Sequence, residues 1–240
     1  MKKLVLIVIL NSLIGTNIIA DEKVLSGNEV ALDVVKHSGF YMGLAYSSTY
    51  YQSDYVGTES AVIDNTYFDN YSGEINLNYD AFMLQTGYKF NDYFSIEGRY
   101  WKSVGKTKLH DKGNGNASGT GTYTYNTSIN NKDEFSAWGI YLKPTYPINK
   151  TINIYALLGY GKINLEYNND KWFDSYDYHM GVGATYQLSN KLTLFIDYVH
   201  FYNNDFLDNG AYPVVGDTII WNEEEDQTMY TINIGISYSF

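Results

Sequence analysis

The sequence predicts an all-β fold, in which eight antiparallel strands close into an up-and-down transmembrane β-barrel. Three observations predict it: side chains alternate with period two in eight segments, one of the two resulting faces is small and polar, and the connections alternate between short and long. The composition agrees, because 26 Tyr and 17% aromatic residues are too many for a disordered chain.

The composition also excludes several classes of protein. The chain has no Cys, which excludes a disulfide scaffold, a thiolate zinc site and a Cys nucleophile. A formal net charge of −11 argues against a nucleic-acid partner, because nothing offsets the repulsion from phosphates.

Alternation is clearest in the last predicted strand. Its apolar face carries Tyr230, Ile232, Ile234, Ile236, Tyr238 and Phe240, and its other face is Thr, Asn, Gly and Ser. The same pattern predicts eight strands over 39–52, 79–90, 93–104, 134–147, 151–163, 176–188, 192–199 and 230–240. A soluble β-sandwich also alternates, but its second face carries many charges, whereas Gly, Ser, Thr and Asn suit the crowded interior of a narrow barrel.

The connections between these strands indicate how the barrel lies in a membrane. Short turns follow at Asn91-Asp92, Asn149-Lys150 and Ser189-Asn190. Long polar connections are predicted at 53–78, 105–133, 164–175 and 203–227, with a flexible low-complexity stretch at 113–131. Short turns on one side and long loops on the other are typical of outer-membrane barrels, with aromatic girdles at both interfaces, to which we assign Trp101, Trp138 and Tyr146 among others.

The N-terminal segment is predicted to be a cleaved signal peptide, residues 1–20. Lys2 and Lys3 precede an apolar run from Leu4 to Ile14, and Ala20 stands before Asp21. An uncleaved anchor is the alternative, but a run of about eleven apolar residues is too short to span a bilayer as a helix. Residues 21–38 are expected to be a periplasmic lead-in, and residues 39–240 the barrel.

The strand pattern and the opening Gly39-Phe40-Tyr41-Met42-Gly43 resemble the small outer-membrane barrels of the OmpA-type and OmpX/Ail-like, porin-related family. The last strand is similar to that family's assembly signal, carried here by Asn233, Gly235, Tyr238 and the final Phe240. The resemblance implies a location in the outer membrane of a Gram-negative-type envelope, contact with outer-membrane lipids and lipopolysaccharide, and recognition by the barrel-assembly machinery.

The predicted inward-facing charges form a candidate lumen network. By the alternation it contains Lys89, Glu97, Arg99, Lys143, Asp177, His179 and Asp197. Charges enclosed in so narrow a space are expected to pair, because an unpaired buried charge is costly. The main interpretation is a filled lumen, and the alternative is a narrow, low-conductance ion channel.

We expect no enzyme and no cofactor. A lipid A-modifying enzyme would need a Ser activated by a His, and His200 near Asp205 has no Ser close to it in the sequence. The run Glu223-Glu224-Glu225-Asp226 suggests a Ca²⁺ site, but consecutive residues of a strand point to opposite faces, so solvated surface charge is the favoured interpretation and no metal site is predicted.

Aromatic residues in the long connections predict where the protein makes contacts. They include Tyr67, Phe68, Tyr71, Tyr123, Tyr125, Trp172, Phe173, Tyr212 and Trp221. Aromatic side chains are frequent anchors of binding surfaces. The sequence therefore predicts a structural or surface-interaction, adhesion-like role toward an extracellular ligand that the residues do not identify.

Overall fold

The computed structural model describes residues 38–61, 67–131, 134–167, 170–214 and 217–240. The predicted signal peptide, residues 1–20, and residues 21–37 of the predicted lead-in lie outside these described residues. The described secondary structure consists of ten β-strands: β1 (Gly39–Ala61), β2 (Phe68–Asn91), β3 (Phe94–Ser103), β4 (Thr107–Ala117), β5 (Gly121–Asn131), β6 (Glu134–Pro147), β7 (Ile152–Tyr167), β8 (Asp170–Gln187), β9 (Leu192–Val214) and β10 (Asp217–Ser239).

Eight of these strands form a closed ring. The order of hydrogen-bonded neighbours is β1-β10-β9-β8-β7-β6-β3-β2, and β2 pairs with β1 again. All these pairs are antiparallel, and the first and last strands pair from Tyr41–Ser239 to Ala61–Ile219. The prediction of an all-β barrel with eight strands in its wall is therefore confirmed.

The two remaining strands continue the wall upward. The lower half of β2 pairs with β3, and its upper half pairs with β4, from Asp69–Ala117 to Asn78–Lys108. The break between β3 and β4 contains Gly105, whose φ of 83° lies in the left-handed region that favours glycine. β5 pairs with β4, so the β4–β5 hairpin rises from the β3–β6 pair.

The long polar loops of the sequence analysis are largely strand, and that expectation is wrong. β1 extends to Ala61, and β10 begins at Asp217. The stretch 113–131, which was expected to be flexible, contains the end of β4 and all of β5. The apolar face stops where the membrane stops, but the backbone ladder continues because Thr and Tyr remain good strand formers between two aqueous faces. We call the six strand segments that continue beyond the apolar band, 51–61, 68–78, 107–117, 121–131, 201–214 and 217–229, the extracellular sheet.

An exposed apolar band encircles the lower part of the barrel. Its outward side chains include Met42 and Leu44 on β1, Leu84 on β2 and Ile234 on β10, and Leu84 is 57% exposed. The inward neighbours Ala45 and Met83 are buried. Such a band is too large for a water-soluble surface and suits a hydrocarbon environment. Among the described residues there is no helix that is long and apolar enough to cross a membrane.

Tyrosine rings lie over glycines of neighbouring strands on the inward face. A Cβ atom at Gly159 would lie 2.3 Å from Cδ1 of Tyr141, and one at Gly87 would lie 2.4 Å from Cζ of Tyr41. The missing side chain therefore makes room for a ring inside a narrow barrel. Alternating large and small residues in this way fit the side chains into the narrow lumen.

This packing predicts that Gly159→Ala destabilises the barrel by about 1–3 kcal/mol, because the added methyl group overlaps Tyr141 and the carbonyl oxygen of Ile140. The matched control is Gly98→Ala, since a Cβ there meets nothing closer than 3.9 Å. The free energy of unfolding, measured by urea titration of the refolded protein in lipid vesicles, should fall for Gly159→Ala only. Equal losses in the two variants would contradict the packing argument.

Candidate functional site: the lumen and the extracellular sheet

Four buried charges meet in the centre of the lumen. Arg99 on β3 forms a two-pronged ion pair with Asp197 on β9, with Nη1–Oδ1 and Nη2–Oδ2 distances of 3.1 and 2.9 Å, and its Nε pairs with Glu97. Lys143 on β6 donates to Oε2 of Glu97 at 2.9 Å. Two acids and two bases thus balance, and the residues are at most 8% exposed.

Neutral donors complete the cluster. The hydroxyl of Tyr41 donates to Oε2 of Glu97 at 2.5 Å, and that of Tyr155 donates to Oδ2 of Asp197 at 2.6 Å. Nδ2 of Asn233 donates to Oδ1 of Asp197 at 2.7 Å. Each carboxylate therefore receives several hydrogen bonds, which is the condition under which buried charges are tolerated.

An aromatic layer lies on the extracellular side of this charge cluster. The ring of Phe201 makes edge contacts with Trp101 and His179, in each case with centroids 5.0 Å apart. Nε1 of Trp101 donates to Oδ1 of Asn233 at 2.9 Å, which joins the two layers. Nδ1 of His179 lies 2.7 Å from the hydroxyl of Tyr141, whereas its Nε2 has no hydrogen-bond partner. All of these side chains are fully buried, so the lumen is filled at this level.

The structure brings together only part of the predicted lumen set. Glu97, Arg99, Lys143 and Asp197 form the charge cluster, and His179 belongs to the aromatic layer. Lys89 instead lies at the lower rim, 39% exposed, where its Nζ pairs with Asp92 at 2.8 Å. Asp177 is half-buried and accepts a hydrogen bond from the backbone N–H of Tyr178 at 2.6 Å.

Lys89 and Asp177 lie outside the predicted lumen network, because alternation fixes the face of a residue but not its depth along the barrel axis. Trp101 is a further correction, since it was expected in the aromatic girdle but is fully buried in the lumen. The lumen residues that the sequence analysis missed are Tyr41, Tyr141 and Tyr155. Their position opposite the apolar face of each strand was the available signal.

The residues of the predicted assembly signal have separate structural positions. Asn233 is fully buried and joins Ser47, Trp101 and Asp197. A Cβ at Gly235 would lie 2.5 Å from the carbonyl oxygen of Leu44, so the position has no room for a side chain. Tyr238 and Phe240 face outward with ring centroids 5.4 Å apart. Recognition of this strand during assembly stays a prediction.

The inner face of the extracellular sheet, which continues the lumen side, combines tyrosines with carboxylates. Tyr123 donates to Oδ2 of Asp69 at 2.9 Å, and Tyr71 donates to Glu223. Burial raises the pKa of the Tyr123 hydroxyl to about 12, with further contributions from the bond to Asp69 and from its charge. Burial also raises the pKa of Glu223, helped by the negative charges of neighbouring carboxylates.

The acidic run in β10 is divided between the two faces of the extracellular sheet. Glu223 and Glu225 lie on the inner face, where Glu225 accepts hydrogen bonds from Ser53 and Gln227. Glu224 and Asp226 alternate with them and lie on the outer face. Among the described residues no three His, Asp or Glu side chains are grouped so that they could hold a metal ion.

His200, the residue considered for catalysis, lies on the outward side of β9 and is half-buried. Its Nδ1 is 3.5 Å from the hydroxyl of Tyr198. In the described residues the hydrogen bonds of His200 include no Ser hydroxyl.

Comparison with known proteins identifies the class. A family model described as "Outer membrane protein beta-barrel domain" matches residues 25–240, so the chain belongs to that family of outer-membrane β-barrels. Its location is accordingly the outer membrane. A search of curated proteins finds no match.

The solved structures that are similar to this chain share little sequence identity with it. The outer membrane protein OprG from Pseudomonas aeruginosa is 13% identical, with a TM-score of 0.51, and the match covers 87% of this chain and 99% of that one. Ail, the attachment invasion locus protein of Yersinia pestis, is 16% identical over 82% of this chain and 98% of that one, with a TM-score of 0.35. The outer membrane protease OmpT from Escherichia coli is 11% identical over 84% and 97%, with a TM-score of 0.38.

The charge cluster predicts a large cost for removing its central cation. Arg99→Met should destabilise the barrel by about 3–5 kcal/mol, because Asp197 and Glu97 lose their ion pairs to Arg99 while buried. The control Lys102→Met breaks the exposed pair with Glu134 and should cost at most about 1 kcal/mol. Urea unfolding in lipid vesicles measures both values, and similar small losses would show that the cluster is dispensable.

Proposed function

We propose that this outer-membrane barrel is a surface-interaction protein whose binding part is the extracellular sheet. The observation that carries the proposal is the continuation of strand structure beyond the apolar band, where it no longer contacts lipid. A rigid sheet raised above the membrane is a preorganised contact surface, whereas a disordered loop would lose conformational entropy on binding.

The free edge of β5 supports this role. In the described part of the chain β5 pairs only with β4, so the sheet order ends there. The sequence of β5, Gly121-Thr-Tyr-Thr-Tyr-Asn-Thr-Ser-Ile-Asn-Asn131, contains no charge and no Pro. Natural edge strands are usually protected by charged residues or Pro. An edge without them can accept an added strand from a partner.

The proposal also covers export, assembly into the membrane and contact with lipids. Residues 1–20 direct export, and the β10 residues Asn233, Gly235, Tyr238 and Phe240 present the strand that the barrel-assembly machinery reads. Outer-membrane lipids and lipopolysaccharide contact the exposed band and its aromatic borders, among them Trp138 and Tyr146. In this proposal the protein acts without enzymatic activity and without a cofactor.

The proposal predicts that the β4–β5 hairpin is needed for adherence. Replacing residues 105–132 with an Asn-Gly turn removes β4 and β5 but keeps the eight-stranded wall within the apolar band. Cells that display the protein would be tested on immobilised fibronectin, laminin, collagen, a glycan panel and a lawn of cells displaying the same chain. We expect the full chain to adhere to at least one surface and the shortened chain to lose at least about tenfold.

A heat-modifiable gel shift provides the control, since it reports that the shortened chain has folded into a barrel in the membrane. Unchanged adherence of the folded, shortened chain would overturn the proposal, as would failure of the full chain to adhere to any of these surfaces.

A narrow ion channel is the second candidate, and the charged lumen is the observation that favours it. Against it stands the layer formed by Trp101, Phe201 and His179, because fully buried aromatic rings leave no aqueous path at that level.

We therefore expect planar-bilayer recordings of the wild-type barrel to show no reproducible single-channel steps. The double variant Trp101→Ala/Phe201→Ala, which removes the two rings, should give measurable steps; steps of equal size in the wild type would favour the channel.

A further inference from the structure

The inner face of the extracellular sheet carries carboxylates with no cation beside them in the part of the sheet that the structure describes. These acidic members include Asp69, Asp111, Glu223 and Glu225. Lys108 and Lys112 alternate with Asp111 on β4 and lie on the opposite face, where Lys112 pairs with Glu74 at 2.9 Å. The inner face therefore differs from the lumen, in which acids and bases balance.

Only neutral groups donate to these carboxylates in the described hydrogen bonds. Tyr71 donates to Glu223, Tyr123 to Asp69 at 2.9 Å, and Nε2 of Gln227 to Glu225 at 2.7 Å. Hydroxyl and amide donors orient a carboxylate but leave its charge in place. Burial raises the pKa of Glu223, and the negative charges of Glu225, Asp208 and Glu59 raise it further, so these carboxylates repel one another.

Two buried acceptor oxygens at this face have no donor. They are Oδ1 of Asp69 and Oε1 of Gln227, in residues that are 9% and 7% exposed. Gln227 follows Glu225 by two residues on the same face of β10, and its amide nitrogen donates to that carboxylate. An unsatisfied buried acceptor is costly, so each of these oxygens marks a place where a hydrogen-bond donor would be favourable. Beside Glu225 the negative charge favours a donor that is positive.

Aromatic ring faces accompany the carboxylates. The rings of Tyr71 and Tyr55 lie over Gly57 and Gly73, where a Cβ atom would come within 2.3 and 2.4 Å of the ring or its hydroxyl. Both tyrosines are half-buried, and their centroids are 6.3 Å apart with planes inclined at 56°. Tilted π faces next to carboxylates are the surroundings that alkylammonium and guanidinium groups prefer.

We propose that the inner face of the extracellular sheet binds an organic cation, with Glu223, Glu225 and Asp69 as its ionic partners and with Tyr55 and Tyr71 as its cation–π partners. This inference rests on the proposed function and names the chemistry of the partner. A metal ion is disfavoured because the described carboxylates are not grouped as a ligand set, and a neutral glycan would leave the charge uncompensated. The same cationic chemistry is offered by a free polyamine and by the Lys or Arg side chains of a peptide.

The test measures binding of spermidine and of an amidated tetra-arginine peptide to the full refolded chain in phosphatidylcholine nanodiscs by isothermal titration calorimetry. The variant Glu223→Gln/Glu225→Gln removes two inner-face charges, and the matched control Glu224→Gln/Asp226→Asn removes two outer-face charges from the same stretch of β10. We expect the inner-face variant to weaken binding by at least about tenfold and the outer-face variant by less than about threefold.

Acidification supplies a second readout. Lowering the pH from about 7.5 to about 5 should weaken binding of either cation to the wild type, because Glu223, whose pKa is raised, takes up a proton before an ordinary carboxyl group does. The inner-face variant should lose most of this pH dependence. A preference for the peptide over spermidine, compared at equal total concentration of positive charge, would identify a protein partner. The reverse preference would identify a free amine, and both outcomes support the inference.

Four outcomes would overturn it: no binding of either cation by the folded wild type, equal losses in the two double variants, binding of CaCl₂ that displaces the cation at equal concentration, or binding of maltotriose in its place. The variant Tyr71→Phe keeps the ring but removes the hydrogen bond to Glu223, so it perturbs the same place without removing a charge. We expect it to retain binding to within about threefold. A larger loss would show that a distorted sheet, and not the missing charge, weakens binding. Adherence that needs the β4–β5 hairpin but survives Glu223→Gln/Glu225→Gln would remove this inference and leave the proposed function standing.

Discussion

The structure depends on the pairing of backbone N–H and C=O groups inside the hydrocarbon layer, where no water can replace a missing partner. The pairing of β1 with β10 meets this requirement, since it closes the ring and removes both sheet edges from the lipid. Once the ring is closed, one face of every strand must look at lipid and the other at a narrow interior. The period-two pattern of the sequence follows directly from this constraint.

Closure with only eight strands sets the character of the interior. The space is filled by side chains, so large rings such as Tyr141 require glycines such as Gly159 on the next strand. It also excludes bulk water, and the charges of Arg99 and Asp197 must therefore be compensated locally. Packing and ion pairing in the lumen therefore stabilise the barrel together. Asn233 links the two, because it accepts a hydrogen bond from Trp101 in the aromatic layer and donates one to Asp197 in the charge cluster.

The sequence was sufficient to predict the strands in the apolar band and the face on which each residue lies. It was not sufficient for depth, because Lys89 and Arg99 have the same inward orientation but one lies at the rim and the other in the centre. Strand length was also missed, since beyond the membrane the pattern loses its apolar face while the ladder from Tyr51–Met229 to Ala61–Ile219 continues. The inner-face contacts of Tyr71 and Glu223 could not be foreseen, because they depend on the register between β1, β2 and β10.

The same alternation therefore builds two different surfaces on one continuous wall. Within the membrane the inward face has to satisfy itself, and Lys143 and Arg99 compensate Glu97 and Asp197. Outside the membrane water can solvate an uncompensated charge, so the chain can keep acidic residues such as Glu223 at the inner face of a rigid sheet without folding being prevented. In the proposed function, binding takes place above the lipid, while the ion pairs that stabilise the barrel lie within it. A partner bound to the extracellular sheet would then leave those ion pairs undisturbed.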